Sequence, residues 1–156
     1  MPHHPRMSPS PGEACQFCKV STGKTPSHVV FADEMSMAFL DHRPLFPGHC
    51  LVIPKEHHET LEDLPSALLR PLFTTVRLLA QAVERAVEAD GTFVAINNRV
   101  SQSVPHLHVH IVPRKHKDGL RGFFWPRARY ESQGAAIAVR DAIRSAVAGI
   151  RPETVP

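Results

Sequence analysis

Residues 105–113 read PHLHVHIVP, in which three histidines alternate with leucine, valine and isoleucine between two prolines. Successive side chains of a β-strand point to opposite faces, so the alternation predicts a strand from His106 to Val112. A row of imidazoles suits either a metal ion or nucleophilic and acid–base chemistry on a phosphate, because neighbouring imidazoles cannot all be protonated. One face, which we expect to be the core face, is made by Leu107, Val109 and Ile111. The opposite face is made by His106, His108 and His110.

The segments before the histidine stretch predict a hairpin, a strand and a long helix. Val29–Asp41 reads as the hairpin and the apolar run His49–Pro54 as a central strand. Apolar residues recur at helical spacing between residues 64 and 89, which is typical of an amphipathic helix. Pro71 lies inside this pattern, so we expect a short turn before it and the main helix from about Pro71 onward.

Another strand, Thr92–Asn97, and a second amphipathic helix, Ala135–Ile150, complete the pattern. Together these segments predict an α+β fold with a mostly antiparallel five-stranded sheet and two helices. We expect a single domain over residues 15–150, with a disordered N-terminal tail at residues 1–14 and a C-terminal tail at residues 151–156. The expected buried side chains of the second helix are Ile137, Ile143, Val147 and Ile150.

The composition is that of an ordinary globular chain, with 42% hydrophobic and 21% charged residues. The formal charge of +3 suits anionic small molecules but is too weak to indicate nucleic acid. No apolar run approaches the length of a membrane span, and the first residues do not resemble a signal peptide. With three cysteines and no export signal, we expect a reducing, cytoplasmic location.

Cys15-Gln16-Phe17-Cys18 forms a CxxC motif that leaves several interpretations open. It does not lie between a strand and a helix as a thioredoxin-type redox pair would, and it could be incidental. As half of a tetrahedral zinc site it would need two more ligands, for which His57 or His58 and His106 are available. A basic segment between residues 114 and 129 follows the histidine strand. Its nearness to the histidines favours an anionic ligand at this row.

Three stretches of this chain together resemble the histidine triad (HIT) family. HLHVHIVPR is similar to the family's His-x-His-x-His signature, INNRVSQSVPHLHVHIVPR to its active-site half, and VVFADEMSMAFLDHRPLFPGHCLVIPKEHHETLEDLP to its N-terminal half. The CxxC motif places the resemblance with the bacterial, zinc-containing members. The resemblance implies a homodimeric protein that binds purine nucleotides of the AMP or GMP type and hydrolyses or transfers them at the α-phosphate.

The resemblance also implies roles for individual residues. His108 would attack phosphorus and form a nucleotidyl-histidine, His110 would lie near the phosphate and hold the nucleophile's tautomer, and His49 would complete the catalytic group. Asp41 would bind the ribose hydroxyls. Residues implied beside the phosphate are Asn97, Gln102 and Ser103. A structural zinc ion would be held by Cys15, Cys18, His57 and His106.

The loop NNRVSQ departs from the resemblance, because it is shorter than in many members and carries Arg99 where glycine is usual. A glycine-rich loop lets backbone amides approach a phosphate, so we expect Arg99 to bind an outer phosphate instead.

Two other functions stay open at this stage. One is a nucleotide-binding module with little activity, and the other is a zinc-dependent hydrolase with its metal at the triad.

Overall fold

The computed structural model describes residues 11–120 and 128–150. Residues 1–10 of the expected N-terminal tail and the whole expected C-terminal tail lie outside this range, whereas Pro11–Ala14 form a short helix, α1. The chain divides into two compact units, one running to Asp118 and the other starting at Gly119. The extension of one domain over residues 15–150 stays a prediction.

The first unit contains a five-stranded antiparallel sheet in the order β1-β2-β3-β5-β4. This confirms the predicted α+β class. The predicted hairpin is β1 and β2, and its turn is closed by Asp33, whose Oδ1 accepts hydrogen bonds from the backbone N–H groups of Met35 and Ser36 at 2.9 and 2.7 Å. The strands are β1 Val29–Ala32, β2 Ser36–Leu40, β3 Cys50–Pro54, β4 Gly91–Ile96 and β5 Val109–Arg114.

Helix α3, Ser66–Ala86, packs its apolar face on this sheet. The predicted helical face is correct, since the spaced residues Leu72, Val76, Leu79 and Val83 are all buried. The expectation that the main helix starts near Pro71 is wrong, because the helix begins five residues earlier and Pro71 lies inside it. A proline within the helix costs one backbone hydrogen bond, and the burial of this face against the sheet outweighs that loss.

Strand β5 begins at Val109, so only His110 of the three histidines lies within the strand, and the predicted start at His106 is wrong. Val52 pairs with Val109, and continuing that register would place Pro54 opposite Leu107. Proline has no N–H to donate, so the ladder stops there. The Leu107 N–H donates instead to the carbonyl of His58 at 2.6 Å. The prediction that Leu107, Val109 and Ile111 face the core is nevertheless correct, because all three are buried against α3.

Besides α1, two shorter helical segments precede α3: helix α2, Gln16–Ser21, and a 3₁₀ turn, Leu61–Asp63. The second unit contains helix α4, Gln133–Gly149, close to the expected Ala135–Ile150. The expectation of a buried face on this helix is wrong, because apolar spacing shows which side chains share a face and not whether another element covers it. The exposed side chains are Ile137, Ile143, Val147 and Ile150. Among the described residues, no helix has both the length and the apolar character required to cross a membrane.

Candidate active site and metal cluster

The histidines of the PHLHVHIVP stretch are divided between two clusters of side chains. His106 lies with Cys15, Cys18 and His57, and the donor atoms of these four residues are all within 4.8 Å of one another. His110 lies with Asp41 and His49, whose donor atoms meet the same limit. His108 stands between the clusters, with its ring centroid 5.0 Å from that of His110. The structure therefore assembles eight of the expected site residues around the start of β5.

The first cluster, called the metal cluster below, joins three separate segments. Cys15 is the N-cap of α2 and Cys18 lies in its first turn, while His57 follows β3 and His106 precedes β5. His106 Nδ1 lies 3.4 Å from Cys15 Sγ and 3.5 Å from Cys18 Sγ, and His57 Nδ1 lies 3.3 Å from Cys18 Sγ. Sulfur and nitrogen ligands of a tetrahedral zinc ion are about 3.5 Å apart, given the usual zinc–ligand bond lengths. The spacing of the donors therefore fits zinc.

Protonation also favours zinc in the metal cluster. His106 Nε2 lies 2.8 Å from the carbonyl oxygen of Pro54, which can only accept a hydrogen bond, so Nε2 carries the proton. Nδ1 therefore keeps a lone pair with which it can bind a metal ion. Burial lowers the pKa of His106 to about 4, which keeps the ring neutral. Burial, with a smaller contribution from Cys15, raises the pKa of the Cys18 thiol to about 11, so a bound metal must displace a proton there.

In the second cluster a protonated ring nitrogen, His49 Nε2, faces the other donor atoms, so this cluster does not suit a metal. The backbone N–H of Leu45 donates to His49 Nδ1 at 3.1 Å, so the proton of His49 is on Nε2. His49 Nε2 then donates to His110 Nδ1 at 3.0 Å, which places the proton of His110 on Nε2. A metal on His49 Nε2 would move that proton to Nδ1, where it would face the Leu45 N–H. This conflict argues against a zinc-dependent hydrolase with its metal at the triad.

His108 presents an unprotonated nitrogen. Its Nδ1 lies 2.7 Å from the carbonyl oxygen of His106, and because a carbonyl only accepts, Nδ1 carries the proton and Nε2 keeps the lone pair. Burial lowers the pKa of His108, which favours the neutral ring. The resemblance assigned the holding of this tautomer to His110, whereas in the structure the partner of Nδ1 is the backbone of His106.

Asp41 lies on the His49 side of the site. Its Oδ2 is 3.7 Å from His49 Nε2, and its Oδ1 accepts a hydrogen bond from the backbone N–H of Arg43 at 2.9 Å. The carboxylate is thus held at the end of β2, with its side chain only 15% exposed. Its role in binding ribose hydroxyls stays a prediction.

The loop after β4 folds back onto the segment before α3. The Arg99 guanidinium lies 2.8 Å from Glu62 Oε2, and the Arg99 backbone N–H donates to Gln102 Oε1 at 2.7 Å. Gln102 Nε2 donates to the carbonyl of Glu59 at 2.6 Å. Gln102 is therefore used to fasten the loop, and the charge of Arg99 is offset by a carboxylate. The predicted contacts of these two side chains with phosphate stay predictions.

Two expected phosphate-side residues are placed at the surface. Asn97 is exposed at the end of β4, and Ser103 is exposed on the same loop. Ser103 lines a cavity of about 410 Å³ together with Cys15, His57 and Glu59, so it lies beside the metal cluster. No hydrogen bond among the residues 11–120 joins either side chain to His108 or His110.

Phe17 was not identified from the sequence as a site residue. Its ring meets that of His108 edge-on, with centroids 5.2 Å apart and an interplanar angle of 86°, and it lies 6.0 Å from the ring of His106. The available signal was its position between the two cysteines, which fixes it to the metal cluster. Glu62 was also missed, because its contact with Arg99 depends on how two distant loops fold together.

Replacing His110 by glutamine should reduce the acid sensitivity of the fold. Burial, followed by His108 and His49, lowers the pKa of His110 from 6.5 to about 4. Between these values the unfolded chain binds the proton more strongly, so the free energy of unfolding of the wild type falls as pH decreases from 6.5 toward 4. Glutamine does not titrate, so His110→Gln should show a shallower decline in urea unfolding across this range. An equal slope in both proteins would contradict the assignment, and the exposed His116→Gln is the control.

An antiparallel sheet that carries His-x-His-x-His at the start of its fifth strand, next to a Cys/His cluster, defines a protein of the histidine triad class. The chain belongs to the HIT domain family, which matches residues 22–117, more than half of its 156 residues. The predicted family, including its zinc-type CxxC branch, is confirmed.

The chain is 37% identical over 108 residues to an adenylylsulfatase of Arabidopsis thaliana, covering 68% of this chain and 55% of that protein. It is 42% identical over 104 residues to the asymmetrical bis(5'-nucleosyl)-tetraphosphatase of Schizosaccharomyces pombe, covering 65% and 56%. The chain thus spans little more than half the length of these two relatives. A zinc-bound histidine triad family protein from Mycobacterium smegmatis has a similar structure, with a TM-score of 0.66, 31% identity and coverage of 89% and 99%.

Proposed function

We propose that this protein hydrolyses nucleotides at the α-phosphate through a covalent nucleotidyl-histidine on His108. Membership of the HIT family, with relatives named as an adenylylsulfatase and a tetraphosphatase, supports nucleotide hydrolysis. The observation that carries the proposal is the hydrogen bond from His108 Nδ1 to the His106 carbonyl at 2.7 Å. It leaves a neutral imidazole with its lone pair on Nε2, which is the nucleophilic form.

The geometry supports different roles for His108 and His110. In the first step His108 Nε2 attacks the α-phosphorus and a nitrogen–phosphorus bond forms. The bond to the leaving group breaks, and the leaving atom takes the electron pair and a proton from solvent. His110 offers an Nε2–H donor, fixed by the relay from Leu45 through His49, to the phosphate oxygens that gain charge. In the second step water attacks phosphorus and releases a proton to solvent, the nitrogen–phosphorus bond breaks, and Nε2 regains its lone pair.

Zinc in the metal cluster would have a structural role in this proposal. Cys15, Cys18, His57 and His106 would supply all four ligands, and such closed sites leave no position for substrate. Its chemistry would be to bind two thiolates and two neutral imidazoles, and thereby to join α2, the segment after β3 and the segment before β5.

Phosphoramidates of a purine nucleoside, such as an adenylated amine, are the substrates we propose first. A dinucleoside polyphosphate would need cations for its additional phosphates, whereas Arg99, the expected cation, is paired with Glu62 at 2.8 Å. Glu56, Glu59 and Asp63 add further negative charge to the same segment. These charges favour an amine leaving group over a chain of phosphates. Dinucleoside polyphosphates remain the alternative substrates within the same mechanism.

We also propose that the protein acts as a homodimer in the cytoplasm. Helix α3 exposes Leu69, Phe73 and Leu78, and the edge strand β4 exposes Val94, which together supply apolar surface for a second copy. All three cysteines are free, which suits a reducing compartment. Light scattering gives the mass in solution and tests the first of these statements.

A matched substrate panel tests the proposed function. The panel holds an adenosine phosphoramidate, an adenylated lysine, and dinucleosides with three and four phosphates, with products separated by chromatography. We expect AMP from the amine-linked compounds, with kcat/KM at least about tenfold above that for the dinucleosides. Cleavage of only the dinucleosides would contradict the substrate class. Tight binding of AMP with no turnover of any compound would favour the binding-module interpretation.

A further inference from the structure

The loop after β4 holds its one arginine against an acidic segment. Arg99 is the only lysine or arginine between residues 97 and 110, and its guanidinium donates to Glu62 Oε2 at 2.8 Å. The opposite segment, residues 56–63, has no lysine or arginine and carries four carboxylates. The pKa of Arg99 is raised, first by the hydrogen bond and charge of Glu62 and further by the charges of Asp63 and Glu59. The cation of this loop therefore faces several carboxylates and is bound by one of them.

The backbone shows that Arg99 is held in place at a cost. Its φ is 68°, in the left-handed region that glycine adopts without strain and other residues seldom occupy. Its backbone N–H donates to Gln102 Oε1 at 2.7 Å, and the neighbouring Asn98 Oδ1 accepts the Leu61 N–H at 3.0 Å. These bonds fix the loop against the 3₁₀ turn. The Arg99 side chain therefore leaves a fixed backbone within reach of Glu62.

The ion pair lies near the side of the site where we expect the phosphate. Gln102 Nε2 donates to the carbonyl of Glu59 at 2.6 Å, and Glu59 and Ser103 line the same cavity of about 410 Å³. Because Ser103 is expected beside the α-phosphate, the outer phosphates of a longer substrate would lie near this loop. A free guanidinium would bind them there, whereas one that is already held by a carboxylate has little charge to offer.

We propose that Glu62 is a positioning residue that sets substrate specificity. By holding Arg99 it withholds the cation of this loop from outer phosphates, and so favours substrates with a single phosphate. Glu62 acts through Arg99 and does not itself contact the substrate. The effect on turnover rests on the proposed function, whereas the effect on phosphate binding is measured without turnover.

A double-mutant cycle on the ion pair tests the inference. In Glu62→Gln the guanidinium is released, and we expect kcat/KM for the dinucleoside with four phosphates to rise by about five- to tenfold. The adenosine phosphoramidate has no outer phosphate, so its kcat/KM should stay within about twofold of wild type. Adding Arg99→Ala to Glu62→Gln should abolish the gain. A double variant that keeps the full gain would overturn the inference, because the gain would then come from the lost negative charge alone.

Glu56→Gln is the matched control. Glu56 belongs to the same segment and its side chain is as exposed as that of Glu62, at 68%, but its carboxylate lies 3.2 Å from His58 Nε2. This change removes the same charge without releasing Arg99, so it should raise kcat/KM for the dinucleoside by less than about twofold. The gain in Glu62→Gln should also shrink as salt concentration rises, which loosening of the loop would not produce. Equal gains in the two variants, or an equal change for every substrate in Glu62→Gln, would overturn the inference.

Binding of nucleotides that are not cleaved separates this inference from the proposed function. The probes are AMP and the methylene analogue of ADP, in which carbon replaces the oxygen between the two phosphates. Calorimetry measures both affinities, and their ratio should shift toward the diphosphate analogue by about five- to tenfold in Glu62→Gln but not in the double variant. An unchanged ratio would overturn the inference. If wild type turns over none of the panel, the proposed function fails, while this ratio still judges the role of Glu62.

Discussion

His108→Ala should abolish turnover while leaving the protein folded. The variant removes the nitrogen that we propose attacks phosphorus, and loss of a covalent nucleophile lowers kcat by about 10⁴-fold or more. His108 is 3% exposed and contacts the ring of Phe17, so the vacated space should cost only about 1–3 kcal/mol of unfolding free energy. Steady-state release of AMP from the amine-linked substrates measures kcat, and circular dichroism checks the fold.

The proposed covalent intermediate gives this prediction a second and more specific test. Rapid acid-free quenching of wild type with substrate, followed by proteolysis and mass spectrometry, should show one nucleotidyl group on the peptide that contains residues 106–113. His108→Ala should show none. The exposed His116→Ala is the matched control and should keep wild-type kcat. A variant of His108 that retains a tenth of the wild-type rate would contradict a covalent role for this residue.

The sequence predicted the sheet and the long helix because both depend on local patterns. The spacing of Leu72, Val76, Leu79 and Val83 is set by one helix face, and the sheet buries that face as expected. The errors came from competition between local rules. Pro71 alone predicts a helix start. Inside the helix it costs one backbone hydrogen bond, and the burial of these four side chains outweighs that loss. The alternation of the histidines predicts a longer strand, but Pro54 on the neighbouring strand cannot continue the ladder.

The sequence likewise predicted one part of the candidate site, the identity of its side chains, and not the contacts between them. The resemblance identified the histidines of both clusters by residue type and position. It could not show that the His108 tautomer is held by a backbone carbonyl, because no side chain marks that acceptor. It also could not show that Arg99 is paired with Glu62, since the two residues are far apart in the sequence and meet only when two loops fold together.

Cys15→Ala should destabilise the protein much more than Cys50→Ala. Both thiols are buried, at 6% and 2% exposure, so the two changes remove similar side chains from similar surroundings. Cys15 is a donor of the metal cluster, whereas Cys50 lies in the hydrophobic core and its thiol donates to the Gly48 carbonyl at 3.3 Å. Metal binding contributes to folding, because the ligands come together only in the folded chain.

We expect Cys15→Ala to lose about 3 kcal/mol or more of unfolding free energy, against about 1 kcal/mol for Cys50→Ala. Urea unfolding measures both values, and elemental analysis should find one zinc ion per chain in wild type and in Cys50→Ala but not in Cys15→Ala. Equal destabilisation with no zinc in wild type would contradict a structural metal. Because the cluster joins three segments around β5, loss of the metal should also expose the His106 region to hydrogen exchange before the sheet opens, as a structural metal at this position requires.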